Sequence, residues 1–214
     1  MIDKDRDERF VIVIGRQYGS GGRRIGRMLA RELGVPYYDK SLLSEAAAEL
    51  GYSQDIFALK DEKRPSLLRS ILSFNYGAPT AEISHSPMSD ENIYQFQSRV
   101  ISEICERGSC VIVGRTADYV MRHHPRLVSL FIHAPAETRA RAVMRRGEAD
   151  NPAKARDIAL KCDSRRQSYY NYYTNRDGWG RADNYHLTFD SSRISDAAIL
   201  AAVRDMLGLK TEIR

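Results

Sequence analysis

The stretch Gly15-Arg16-Gln17-Tyr18-Gly19-Ser20-Gly21-Gly22 carries the most chemical information in this sequence. A loop so poor in side chains lets successive backbone N–H groups converge on phosphate oxygens, and a helix starting directly after it adds the positive end of its dipole. Arginines supply the complementary chemistry, because the planar guanidinium fork matches phosphate oxygens in pairs. They gather at Arg23, Arg24, Arg27 and Arg31, at Arg139, Arg141, Arg145 and Arg146, and at Arg165 and Arg166. Any one of them, taken alone, suits a solvated helix face; clustered near glycine-rich turns they suit a phosphate-bearing ligand. The loop departs from the pattern G-x-x-x-x-G-K-[ST], since counting from Gly15 lands on Ser20 with no lysine after it. Aligned instead on Gly19-Ser20-Gly21, Gly22 stands at the lysine position and Arg24 replaces the hydroxyl that would hold Mg²⁺. These losses remove a phosphate-bridging cation and a metal ligand. Arg16 or Arg23 is near enough in the chain to supply the missing charge.

The elements around the loop decide what it can reach. Phe10-Val11-Ile12-Val13-Ile14 is an unbroken apolar run, the signature of a strand buried on both faces, and it stops at Gly15. Ile25, Met28, Leu29 and Leu33 recur at helical spacing between Arg23 and Leu33, and Gly34 supplies the stop. Val35-Pro36-Tyr37-Tyr38 predicts a short second strand, with Asp39 as N-cap of a helix from Lys40 to Leu50. A helix over Ser66–Phe74 and a mobile loop over Gly77–Asp90 follow from weaker signals. Periodicity then predicts a helix over Ile93–Ile104, strands at Cys110–Val113 and Leu127–Ile132, and helices at Ala136–Arg146 and Ala153–Tyr173. A last strand at Tyr185–Phe189 and a helix at Ala197–Leu207 complete the chain. Strand and helix in alternation predict an α/β fold, a parallel sheet with helices on both faces. Such sheets bind ligands at the carboxyl ends of their strands, where the glycine-ended runs Phe10–Ile14 and Cys110–Val113 point.

Composition narrows the function classes. The 214 residues are 43% hydrophobic and 29% charged, enough apolar material for a core and too much for a disordered or collagen-like chain. The longest apolar run is far too short to span a bilayer, and the mixed-charge start Met1-Ile2-Asp3-Lys4-Asp5-Arg6 lacks the apolar segment of a signal peptide. A cytoplasmic protein is the expectation. Three cysteines without a C-x-x-C pair argue against a disulfide framework or zinc site, and Cys105, Cys110 and Cys162 read as small buried hydrophobes. The net charge of +5 agrees with anionic partners.

Three motifs in order give the chain a family resemblance. Gly15 to Arg23, followed by Tyr37-Tyr38-Asp39-Lys40, resembles the opening of the cytidylate kinase-like family. Cys110-Val111-Ile112-Val113-Gly114-Arg115-Thr116-Ala117-Asp118-Tyr119 is similar to its second signature. Asp163-Ser164-Arg165-Arg166-Gln167-Ser168-Tyr169-Tyr170, continuing to Trp179-Gly180, resembles its third. The likeness runs from about Phe10 to Met206. It implies a three-layer P-loop NTPase core in a single domain, with a monophosphate-binding insert at about 52–98 and a lid at about 147–181. ATP as co-substrate and Mg²⁺ follow from it, with nucleotides as partners and neither membrane nor nucleic acid expected. The resemblance implies that Gly19, Ser20, Gly21 and Gly22 cradle the ATP phosphates and that Asp39 contacts the acceptor ribose. Arg115 would bind the acceptor phosphate. Arg166, with Asp163 before it, would close over the transferring group, and Arg139 and Arg141 would face phosphate. Arg16, Arg23, Arg115 and Arg166 are thus the candidate catalytic cations, and no metal ligand is assigned.

Transfer of the ATP γ-phosphoryl group to CMP or dCMP is the function this implies. The alternative is a nucleotide-sensing module with a degenerate loop, for which Gly22 and Arg24 speak. A basic RNA-binding surface is a third reading, but no RNA-recognition motif accompanies it. The run Tyr169, Tyr170, Tyr172 and Tyr173 suits base stacking or, more commonly, helix packing, and packing or solvent exposure is the default for Gln97 and Arg99. His123-His124 reads as a surface pair, and Asp61-Glu62-Lys63-Arg64 as a solvated face.

Overall fold

A computed structural model describes residues 9–39 and 90–209. The predicted helices at Lys40–Leu50 and Ser66–Phe74, the loop before Asp90, the charged run at 61–64 and most of the expected insert lie outside the described residues. Five strands form one sheet: β1 (Val11–Arg16), β2 (Tyr37–Tyr38), β3 (Cys110–Val113), β4 (Leu127–His133) and β5 (Leu187–Asp190). Their order is β2-β3-β1-β4-β5, and every pairing is parallel. The helices are α1 (Gly22–Leu33), α2 (Asp90–Arg107), α3 (Ala117–Val120), α4 (Ala136–Arg145), α5 (Pro152–Thr174) and α6 (Asp196–Met206).

The lack of alternation in β1 has its cause here. Ile12 and Ile14 pack with Ile25 and Leu29 of α1 and Ile199 and Val203 of α6. Val11 and Val13 face the other way, onto Val100 and Ile101 of α2. Both faces of the central strand are therefore closed to water, which accounts for its β-branched run. α1 begins without a side-chain cap at Gly21, in the left-handed region at φ 82°, and ends at Gly34, also left-handed. α5 starts on Asn151, whose side chain accepts from the Lys154 N–H, with Pro152 at its first position.

The elements match the expected order, with differences at their ends. The second strand is only Tyr37–Tyr38: the Pro36 carbonyl accepts the ladder bond from Val111 N–H, but Pro36 has no N–H of its own to extend the pairing. The last strand runs Leu187–Asp190, not Tyr185–Phe189. Its ladder with β4 begins at Leu187 opposite Leu130, and Tyr185 stays outside it with its ring against Phe131. α2 is longer than predicted at both ends, and α3 was not anticipated. Cys162 is half-buried, whereas Cys105 and Cys110 are buried as expected.

Candidate functional site

Between β1 and α1 the chain makes a tight turn whose glycines have separate reasons. Gly19 has φ +79°, and a Cβ there would sit 2.7 Å from the Arg139 carbonyl oxygen. Gly21 has φ +82°, but a Cβ there would meet only the Arg24 guanidinium, at an ordinary contact distance of 3.7 Å. Gly22 has an ordinary backbone; a Cβ there would stand 2.6 Å from the Cβ of Arg16. Ser20 is buried, and its hydroxyl donates inward to the carbonyls of Gln17 and Ile132 at 2.9 and 3.0 Å. The Ser20 carbonyl in turn accepts from the Ser191 hydroxyl at 2.6 Å.

The loop is held from the side by α4 and α5. Tyr18 N–H donates to Asp163 Oδ1 at 2.6 Å, and Tyr18 O accepts from Arg139 Nη1 at 3.3 Å. Arg139 and Asp163 meet at 2.5 Å, both nearly inaccessible, and Arg139 Nε also donates to the Ala134 carbonyl. Burial pushes the Asp163 carboxyl above the usual carboxylate range, opposed by the Tyr18 N–H and by the Arg139 and Arg166 guanidiniums. The Tyr18 hydroxyl donates to Glu148 at 2.6 Å, while Arg146 and Arg166 lie over its ring. Burial and Glu148 push that phenol up to about 12.

At the carboxyl edge of β1 and β3 a pocket opens. Its cationic lining is Arg16, Arg115, Arg165 and Arg166; Asp118, Tyr169, Tyr170, Trp179 and Tyr185 complete the wall. The turn that delivers Arg115 is strained: Gly114, Arg115 and Thr116 are successively left-handed at φ 85°, 64° and 53°. For non-glycine residues that region costs about 1–2 kcal/mol each, a cost typically carried where a functional group must be aimed. Arg115 Nη1 donates to Gln97 Oε1, which also accepts from the Tyr169 hydroxyl, each at 3.3 Å. Arg166 Nη1 donates to the Arg16 carbonyl at 3.1 Å. Burial lowers the pKa of Arg16, Arg115 and Arg166, most of all Arg16, where the charges of Arg166, Arg23 and Arg115 add to the effect. Tyr170 donates to Asp118 Oδ2 at 2.7 Å, and burial raises both of their pKa values.

The other candidate residues divide. Arg23 is half-exposed and leans toward buried Asp39, 3.8 Å away at the end of β2; Arg27 approaches the same carboxylate at 3.7 Å. Arg24 pairs with Asp196 at the start of α6. Since the pattern sets the hydroxyl directly after the lysine, counting from Gly22 brings Arg23, not Arg24, to that place. Arg141 lies on the exposed face of α4 and donates to Thr138. The tyrosine run, read from sequence as packing, splits: Tyr169 and Tyr170 line the pocket, Tyr173 stacks on Tyr94 at 4.2 Å, and Tyr172 is exposed. Asp118, Gln97 and Tyr185 were missed as site residues, and Arg165 was singled out only as part of an arginine cluster. For Asp118 and Arg165 a signal existed, their place inside two of the quoted motifs. Among the described residues no group of three His, Cys, Asp or Glu is arranged to hold a metal, and the Ser20 hydroxyl is turned inward.

Comparisons with known proteins agree with this geometry. The sequence profile described as the cytidylate kinase-like family matches residues 11–193. A comparison with curated proteins found no match. Among solved structures, an uncharacterized protein from Eubacterium ventriosum is 24% identical with a TM-score of 0.68, over 94% of this chain and 99% of that one. Shikimate kinase from Bacteroides thetaiotaomicron is 12% identical with a TM-score of 0.54, over 94% and 99%. A gluconokinase from Sinorhizobium meliloti is 16% identical with a TM-score of 0.50, over 93% and 91%. At these identities the likeness establishes the fold alone, a parallel sheet flanked by helices. No helix among the described residues is long and apolar enough to cross a membrane.

Proposed function

The chain belongs to the cytidylate kinase-like family, and from that premise we propose that it transfers the γ-phosphoryl group of ATP to a pyrimidine nucleoside monophosphate, CMP or dCMP first. ATP enters as its magnesium complex, the ion travelling with the substrate. The observation that carries this reading is the convergence of Arg16, Arg115, Arg165 and Arg166 on one pocket beside the glycine loop. So many like charges at the carboxyl edge of a parallel sheet are a receptor for more than one phosphate.

In the transfer, an oxygen of the acceptor phosphate attacks the γ-phosphorus as the bond to the β,γ-bridging oxygen breaks, and its electron pair leaves with ADP. The acceptor oxygen is already ionised, so no base need remove a proton, and the protein contributes alignment and charge. The backbone of Gly19 to Gly22 cradles the ATP phosphates. Arg115 holds the acceptor phosphate, Arg166 closes over the transferring group, and Asp39 meets the acceptor ribose. Arg139 and Asp163 act as positioning residues through Tyr18; Arg141 takes no part. Residues 147–181 work as the lid and 52–98 as the acceptor insert, in a single domain. The aromatic wall of Tyr169, Tyr170, Trp179 and Tyr185 suits a flat base. A cytoplasmic location fits the substrates.

The test is product formation from ATP, Mg²⁺ and a panel of CMP, dCMP, UMP and AMP, separated chromatographically. CDP or dCDP as the preferred product supports the reading. Nucleotide binding without transfer to any acceptor would replace it with a nucleotide-sensing module.

A further inference from the structure

Gly22 poses a puzzle that sequence alone does not resolve. A glycine at the lysine position of a phosphate loop looks like a loss. Yet the backbone at Gly22 is not in the left-handed region, so its conformation is open to any residue. What bars a side chain is Arg16: a Cβ on Gly22 would lie 2.6 Å from Arg16 Cβ and 3.0 Å from its Cγ. The stem of Arg16 thus runs through the space where a side chain at position 22 would begin. Its guanidinium then lies against the Cα of Gly114, where a Cβ would collide with Nη1. Arg16 Nε is buried without a hydrogen-bond partner. The charged groups nearest in effect are Arg166, Arg23 and Arg115. A half-buried cation with a buried, unpartnered Nε and other cations around it is costly unless an anion completes it.

We propose that Arg16 has taken over the phosphate-bridging place of the loop lysine, so that the cation reaches the triphosphate from the end of β1 and Gly22 is glycine to let it pass. This deepens the kinase reading and rests on it for the ligand. Arg23 is not the substitute, because it is directed to Asp39 on the β2 side. The charge has moved six positions upstream in the chain while staying at the same mouth of the same loop.

Two experiments test this. Trp179, the sole tryptophan, lines the pocket, so its fluorescence can follow binding of MgATP or of inorganic tripolyphosphate. Arg16→Met keeps the stem and removes the charge. It is expected to weaken both ligands by about 10- to 100-fold, the range for a lost charge-assisted hydrogen bond. The second experiment is a cycle of Arg16→Gly, Gly22→Lys and their combination. Gly22→Lys alone should lower the melting temperature by colliding with Arg16, and the same change in the Arg16→Gly background should not. The double variant should also recover binding that Arg16→Gly loses. Parental affinity in Arg16→Met, or equal thermal penalties for Gly22→Lys in both backgrounds, would overturn the proposal. If the parental protein binds neither ligand while the thermal coupling holds, the kinase reading falls and Gly22 is explained by packing alone.

Discussion

Two guanidiniums flank the glycine loop, one buried and one half-buried, and they are opposites. Arg139, 6% exposed, is bonded to Asp163, to the Ala134 carbonyl and to the Tyr18 carbonyl. Arg16 has a buried Nε with no partner, and other arginines for neighbours. The first charge is completed inside the protein, so its work is structural: it fixes Tyr18 and through it the loop. The second is incomplete among the described residues, and the phosphate contact proposed above is what would complete it. In phosphate sites, the degree to which a buried arginine is satisfied by its own chain separates scaffold from receptor.

The comparison breaks most visibly at Arg139. Removing one partner of a buried ion pair leaves the other uncompensated, at about 3–5 kcal/mol. Arg139→Ala should therefore lose that much stability in urea denaturation, with a smaller loss of turnover in the folded protein through the displaced Tyr18. Arg115→Ala and Arg166→Ala should do the reverse. Turnover is expected to drop about 10²–10³-fold, as for the loss of an aligned donor to developing charge, with a smaller loss of stability than in Arg139→Ala. Arg16→Met sharpens the contrast further. Removing an unsatisfied buried donor should leave stability unchanged or raise it by up to about 1–3 kcal/mol; a loss as large as that of Arg139→Ala would erase the distinction. Gly19→Ala adds a clash with the Arg139 carbonyl to a backbone cost of about 1–2 kcal/mol, whereas Gly21→Ala carries the backbone cost alone. Thermal melts should rank them in that order. The smallest effect is Asn151→Ala, about 1 kcal/mol from the cap of α5.

Much of this was legible in the sequence. β1 and β3 announced themselves because both their faces are buried, which forces unbroken apolar runs. The loop was legible because glycines at φ +79° and +82° have few substitutes. Arg16, Arg115 and Arg166, singled out as candidate cations, line one pocket, each lying in one of the three quoted motifs. What failed was partner assignment. Gln97 looked like ordinary surface, yet it accepts from Arg115 and Tyr169, residues far from it in the chain. Arg139 looked phosphate-facing because its helix is arginine-rich, and only the crossing of α5 brings Asp163 onto it.

The sequence by itself determined the strands, the order of elements, the phosphate loop and the family, because these depend on local pattern: apolar runs, helical spacing and glycine's backbone freedom. It also held the unusual Gly22. Tertiary structure alone decided which arginines are spent internally and which are left for a ligand. That choice depends on where carboxylates from distant segments arrive: Asp163 reaches Arg139 and Asp39 draws Arg23, but none among the described residues pairs with Arg16. Charge in a chain is local, whereas its compensation is set by the fold.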